Sequence, residues 1–322
     1  METTVGVDIQ ACKVILENEG IVAIPTETVY GLAGNALSPK AIELIYVVKD
    51  RPRVNPLIIH ISSANQLEQY AKNIPLAATR LMEAFWPGPL TLLLEKKDNI
   101  PSEATSGSPL AAFRVPDHPL TLRLLQSVDF PLVAPSANPF GYISPSSAQH
   151  VLDQLSGKIP YILDGGPCEK GIESTIIGFE GEKAILYRSG ALDNEAISFV
   201  LGQNLEKYTP KSVSAPVTSG MMKHHYAPLT PMLLVDSLAD FEIQSGVKVG
   251  IISFDTSYTV VEDQFQIVLS PSSDLLEAAK NLYSALHMMD KKNVELIIAE
   301  KVPHQGIGIA INDRLEKASN RG

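Results

Sequence analysis

The chain has 322 residues, too many for one average domain and comfortable for two. Hydrophobic residues make up 45% and charged ones 19%, which excludes a disordered chain and leaves each domain enough apolar side chains for a core. The net charge is −10, with 16 Lys+Arg against 23 Asp+Glu in residues 1–210 and 10 against 13 in residues 211–322. Neither part is a generic polyanion binder, so any nucleotide or tRNA contact needs a local cluster of positive groups.

Cys12 and Cys168 stand far apart and outside any C-x-x-C pattern, which is neither a disulfide framework nor a zinc site. Met1-Glu2-Thr3-Thr4 lacks the basic and apolar regions of a signal peptide. No apolar run approaches the roughly 20 residues of a membrane helix. A reduced cytoplasmic protein with no membrane partner is expected.

Residues 1–210 alternate helix-like and strand-like segments, as an α/β domain does. Asp8–Glu19 reads as an amphipathic helix ended by Gly20, and Ile21–Pro25 as a buried strand running into a polar loop, Thr26–Leu32. A helix over Ser38–Val48 has Ser38 as N-cap and Pro39 at its first position. Leu57–Ile61 is a strand, Asn65–Lys72 and Ala77–Phe85 are helices, and Leu90–Glu95 and Leu110–Val115 are strands. Leu120–Ser127 and Ser146–Leu155 are helices, with strands at Leu132–Ala134, Tyr161–Leu163, Ser174–Phe179 and Ala184–Tyr187. Prolines punctuate the joins and shape the loops. The pattern breaks over 211–230, a linker too long for a simple connection, with Gly220 and His225-Tyr226-Ala227-Pro228. In 231–322, strands at Met232–Val235, Lys248–Phe254, Gln266–Leu269 and Val294–Ala299 alternate with helices at Asp274–Met289 and Ile307–Lys317. This predicts a smaller α/β domain with a mostly parallel sheet.

Chemistry-bearing residues gather in the loops. Thr26, Glu27, Thr28 and Tyr30 follow the first buried strand, in the place where α/β sheets commonly hold ligands, beyond the carboxyl ends of strands. Lys49, Arg51 and Arg53 put three positive charges into five residues of an extended, proline-bounded segment, on which Lys49 and Arg51 can point to the same side, ahead of Asn55-Pro56 and the strand that carries His60. A guanidinium grips two phosphate oxygens and an ammonium adds a mobile point charge, so a polyphosphate site competes there with a solvated loop. Arg114 lies in an otherwise apolar strand and needs an anion, either an amino-acid carboxylate or an internal salt bridge. Ser136, Asn138 and Ser144 lie in a proline-fixed loop, Glu173-Ser174-Thr175 adds hydroxyls, and Arg188 stands at a strand end. No Walker A sequence is present, and no Ser-His-Asp or Cys-His arrangement announces covalent catalysis.

The order of these segments resembles the two-domain threonylcarbamoyl-AMP synthases, whose first domain has the YrdC-like fold. The likeness runs through Pro25-Thr-Glu-Thr-Val-Tyr-Gly-Leu32, Lys49-x-Arg51, Asn55-Pro-Leu57 and Trp86-Pro-Gly-Pro-Leu-Thr91. It continues through Arg114-Val-Pro116, Ser136-x-Asn138, Glu173-Ser-Thr175, Tyr187-Arg-Ser-Gly190 and the linker's His225-Tyr-Ala-Pro228. The residue before His225 is His224, where the commoner family pattern has arginine.

The linker over 211–230, long and carrying Gly220 and Tyr226, is expected to form a lid over the active site. The resemblance implies a twisted open YrdC-like sheet with helices over 1–210 and a Rossmann-like α/β domain over 231–322. It implies an ATP site, with Mg²⁺ carried by the nucleotide, at Arg51, Asn55, Leu110, Ser136, Asn138, Ser144, Arg188 and Tyr226, and Lys49 near the phosphates. It implies an L-threonine site at Thr28, His60, Arg114, Ala134 and Ser174, with Leu110 and Ala134 acting mainly through backbone. Lys49 and Arg51 are the catalytic expectation. Bicarbonate is the third substrate, and the product passes to a downstream threonylcarbamoyl transferase complex for tRNA modification. The rival reading is a double-stranded RNA or tRNA-binding module using the same positive cleft, whose affinity would fall steeply with salt.

Overall fold

The structure, a computed structural model, describes residues 2–209, 218, 220, 225–239, 246–259 and 261–320. Most of the linker expected over 211–230 therefore lies outside the described residues.

The first unit opens with β1 (Thr4–Gly6), α1 (Ile9–Glu17), β2 (Val22–Ile24), β3 (Gly31–Asn35) and α2 (Pro39–Lys49). Asp8 caps α1 by accepting from Gln10 N and Ala11 N; Ser38 caps α2 by accepting from Ala41 N. After β4 (Ile58–His60) come α3 (Leu76–Phe85), β5 (Leu90–Glu95), β6 (Leu110–Arg114), α4 (Pro119–Ser127) and β7 (Leu132–Val133). Then follow α5 (Ala148–Leu155), β8 (Tyr161–Leu163), β9 (Thr175–Glu180), β10 (Lys183–Arg188), α6 (Asn194–Leu201) and β11 (Glu206–Lys207). These strands form one mixed twisted sheet of eleven, in the order β1-β8-β2-β3-β7-β4-β6-β5-β9-β10-β11. The second unit has β12 (Met232–Val235), β13 (Val249–Ser253), β14 (Gln266–Val268), α7 (Leu275–Asp290), β15 (Leu296–Glu300) and α8 (Gly308–Ser319). Its four described strands are all parallel, in the order β12-β15-β13-β14.

Alternation along the central strands divides the work of the large sheet. Ile59, Phe113, Leu92 and Leu94 point into the main core beside Ile42, Ile45 and Leu81. Ile58, Leu93, Ala112 and Ile176 form a small apolar cluster apart from it.

Several sequence expectations need correction. The loop after β2 ends earlier than expected, because Gly31–Asn35 is a strand paired to both β2 and β7. Gly-Leu-Ala-Gly-Asn has little intrinsic strand preference, and tertiary packing overrides it. Asn65–Lys72 is not an α-helix but a 3₁₀ turn over Ala64–Gln69. β1, α6 and β11 were not expected at all. Lys49 does not belong to an extended segment with Arg51. It ends α2, and Asp50 in the left-handed conformation (φ 52°) turns the chain between them.

Candidate active site

A cleft lies against the large sheet. Ile58 and His60, two apart on β4, both line it. The cleft therefore extends over a face of the sheet, and Thr26 and Thr28, beyond the end of β2, also line it. Register puts Arg114 of β6 directly beside His60. Thr28, Gly31 and Ala134–Ser136 form one wall, and Glu173, Ser174 and Arg188 form the other. Gly220, His225 and Tyr226 of the linker complete the lining.

The first wall is shaped by short-range hydrogen bonds. Thr26 Oγ1 accepts from Thr28 N and Val29 N, both at 3.2 Å, and donates to Val29 O at 2.6 Å; the Thr28 hydroxyl lies 2.9 Å from it. Arg51, also in the lining, donates to Asn55 O (3.0 Å) and Pro56 O (2.9 Å), which aims its buried guanidinium. Burial brings its pKa down only to about 10, so it stays cationic at neutral pH. His60 is neutral, because burial and then Arg114 push it down to about 3. Arg114 is paired with Glu27 at 2.6 Å, both side chains being buried, and its Nε donates to Gly88 O. Of the two sequence alternatives for Arg114, the internal salt bridge exists, yet the arginine still faces the cleft.

The second wall hangs on Arg188 and Glu173. Arg188 donates through Nε (3.1 Å) and Nη2 (2.8 Å) to Ser174 O and through Nη2 to Ser174 Oγ (3.1 Å), while that hydroxyl also meets Thr91 Oγ1 at 2.7 Å. Glu173 accepts from Ser144 Oγ (2.8 Å), Tyr283 OH (2.9 Å) and Arg314 Nε (2.8 Å). Burial opposes its ionisation, but Arg314 and Arg188 outweigh that and hold the carboxyl at about 2.

The cleft thus gathers Thr28, Arg51, His60, Arg114, Ala134, Ser136, Ser174, Arg188 and Tyr226. Five sequence candidates are not among its lining. Lys49, expected near phosphates, is buried and donates to the carbonyls of Ser136 (2.5 Å) and Asn138; burial and Arg51 push its pKa well down. The Asn138 amide donates to Pro139 O and Tyr142 O, and Ser144 serves Glu173. Tyr46 OH donates to the carbonyl of Asn55 from behind the cleft. Leu110 packs with the small apolar cluster and lines a separate cavity with Ala112 and Thr218. Arg53 pairs with Glu43 at the surface.

The model of a family described as "Telomere recombination" matches residues 14–190, and that of "Threonylcarbamoyl-AMP synthase, C-terminal domain" matches 192–320. The chain is 39% identical to the threonylcarbamoyl-AMP synthase of Bacillus subtilis over 96% of its length and 92% of the relative's. It is 41% identical to the enzyme of that name from Pyrococcus abyssi, over 93% and 90%. The chain belongs to the threonylcarbamoyl-AMP synthase family.

A crystal structure of P. abyssi Sua5 complexed with L-threonine superposes with a TM-score of 0.91 at 38% identity, covering 99% of this chain and 98% of that one. The likeness therefore includes the second unit of this synthase-family enzyme, whose sequence pattern alone was weak evidence. Reading Glu173-Ser174-Thr175 for its hydroxyls passes over the carboxylate on which the second wall depends. Tyr283 and Arg314 went unseen because they come from the second unit. The available signal was an arginine on the apolar face of α8, spaced with Ala310, Ile311, Leu315 and Ala318.

Proposed function

We propose that the enzyme forms threonylcarbamoyl-AMP from L-threonine, bicarbonate and ATP, releasing pyrophosphate, for the N6-threonylcarbamoyladenosine of tRNA position 37. The observation that carries this reading is the division of the cleft's cations. Arg114 stands beside His60 in a cleft that Thr28 and Ser174 also line, a set suited to an amino acid, while Arg51 and Arg188 bring guanidinium charge suited to phosphates.

The amine of threonine attacks the bicarbonate carbon and water leaves, giving a carbamate. A carbamate oxygen then attacks the α-phosphorus, and the bond to the β-phosphate breaks. No covalent enzyme intermediate is needed. Catalysis is positioning and charge neutralisation in a site that keeps water from a labile carbamate. In this reading Mg²⁺ enters with the triphosphate as part of the substrate, while Glu27 and Glu173 have arginine partners. Lys49 acts at one remove, by fixing the Ser136–Asn138 backbone against the nucleotide.

The division at 1–210, 211–230 and 231–322 is kept in this reading, since β11 extends the first sheet to Lys207, past the junction of the two family models near residue 191. No described helix is long and apolar enough to cross a membrane. Activity in the cytoplasm, delivery to a transferase complex and contact with tRNA complete the proposal. Pyrophosphate release should require both L-threonine and bicarbonate. Equal turnover with glycine or serine, or none with any amino acid, would sink it.

A further inference from the structure

We infer that Arg314 of the second unit is a positioning residue for the cleft, so that the second unit completes the substrate site instead of merely being attached to it. The guanidinium is fully buried and reaches three segments of the cleft at once. Its Nε donates to Glu173 at 2.8 Å, the residue before Ser174. Its Nη2 donates to Ser189 O at 3.0 Å, the residue after Arg188. Its charge lies 5.2 Å from the ring centre of Tyr226, in the linker. One side chain thus holds both halves of the Arg188–Ser174 contact and the tyrosine beside them. Tyr283 of α7 adds a second hand, its hydroxyl 2.9 Å from each Glu173 oxygen and its ring stacked at 5.7 Å on Tyr226.

Backbone strain gives an independent sign that this grip is needed. Tyr226 has φ 66°, a left-handed conformation that an aromatic residue keeps only when its surroundings determine it. Those surroundings are His225, with ring centres 4.0 Å apart, and the second unit's Tyr283 and Arg314. Glu173 makes the same point through charge. The Glu173 carboxylate, 7% exposed, accepts from three donor groups, two of them from the second unit, and is fixed in place by them. Its role is to be held, and what it holds in turn is the Ser174 turn.

The inference rests on the proposed reaction, and the test keeps the two separable. Pyrophosphate release and calorimetric threonine binding are measured across pH for the full chain, Arg314→Met, Glu173→Gln and the double variant. Methionine keeps most of the volume but leaves Glu173 without its main counter-charge, so its carboxyl should titrate at higher pH. The expected result for Arg314→Met is a threonine KM and Kd raised about tenfold, with activity lost as pH falls into a range the parent tolerates. The double variant removes the uncompensated charge and should lose that acid dependence. A parent that binds threonine but releases no pyrophosphate would fail the proposed reaction, while the binding data still judge Arg314. Unchanged KM and pH profile in Arg314→Met would overturn the inference, as would an equal loss at every pH in both variants. If Arg314→Met does not fold, Tyr283→Phe removes only a hydroxyl from the same carboxylate: a threonine KM raised about threefold supports the grip, and an unchanged one overturns it.

Discussion

Two buried ion pairs flank the cleft, and they are built with opposite polarity. In Arg114–Glu27 the arginine lines the cleft and the carboxylate stands behind it; in Glu173–Arg314 the carboxylate lines the cleft and the arginine stands behind. The first pair lies within the large sheet's own unit, between a loop and β6. The second crosses from one unit to the other. The difference separates recognition from architecture. A cleft-facing cation whose partner leaves part of its donor fork uncommitted can take a carboxylate, whereas a carboxylate held by three donors, two of them from the other unit, locks the wall it belongs to.

Breaking the first pair should have the largest effect. Arg114→Ala leaves Glu27 buried without its counter-charge, so a stability loss of about 3–5 kcal/mol is expected, together with weaker threonine binding. Adding Glu27→Gln should recover most of the stability and none of the binding. Thermal denaturation and calorimetric titration read the two quantities apart. Threonine affinity at the parent value in the folded double variant would reduce Arg114 to architecture, like Arg314.

Lys49→Met comes next. It tests support contained within one unit, since the Lys49 ammonium donates to the carbonyls of Ser136 and Asn138. Losing the ammonium leaves the Asn138 carbonyl without its donor and the Ser136 carbonyl with only Asn138 N, which should cost about 1–3 kcal/mol. Because the ammonium is buried against carbonyls, ATP affinity should fall less than stability does. If the variant melts like the parent and loses ATP binding entirely, Lys49 touches phosphate directly and the architectural role is wrong.

The same contrast explains what could be read from the sequence. Most of the first wall comes from short stretches whose chemistry is local: Thr26 organises its own loop, Arg51 donates to carbonyls four and five residues on, and Ser38 caps the helix it precedes. In the second unit, β12 and α7 follow plain apolar periodicity, and the sequence places them within a residue or so. The failures are non-local. β3 is held by partners on both sides rather than by its own Gly-rich sequence. The direction of Lys49 depends on a left-handed Asp50 and on carbonyls almost ninety residues away. Arg314 meets Glu173 across 141 positions of sequence, a pairing that no spacing rule could propose from one chain.

Acid should act through the histidines before it reaches either ion pair. His60 and His225 are both held near 3 against an ordinary 6.5, by burial and then by nearby arginines or Lys49. A histidine with a depressed folded pKa binds its proton more readily when unfolded, so stability is lost as pH falls from about 6.5 towards 3. Each should cost about 2 kcal/mol at about pH 5 in the ligand-free enzyme. Glu173 has its carboxyl depressed from 4.5 to about 2, so its contribution persists until pH drops below 4.5. Melting curves at successive pH values should therefore decline first in the histidine window, with a shallower decline in a His60→Gln variant. A flat profile between pH 7 and about 5 would mean that these histidines are not buried neutral.

The smallest expected effect is at Tyr226, which lines the cleft with His225 and Gly220. Its ring is held by Tyr283 and Arg314, but among the described residues its buried hydroxyl has no hydrogen-bond partner. An unpaired buried hydroxyl contributes nothing favourable to the empty enzyme, so Tyr226→Phe should change stability by less than about 1 kcal/mol, with stabilisation the favoured direction. The same hydroxyl, aimed into the cleft, is free to bond a ligand that fills it. ATP affinity should then fall by about three- to tenfold in Tyr226→Phe, one hydrogen bond's worth, with threonine affinity little changed. Tyr226→Ala should lose more of both, because it also removes the ring that Arg314 and Tyr283 clasp. Calorimetric titration of ATP into the three proteins decides the matter. If phenylalanine binds ATP as tightly as tyrosine and only alanine is impaired, the hydroxyl has no ligand, and Tyr226 belongs with Glu173 as a residue that is held.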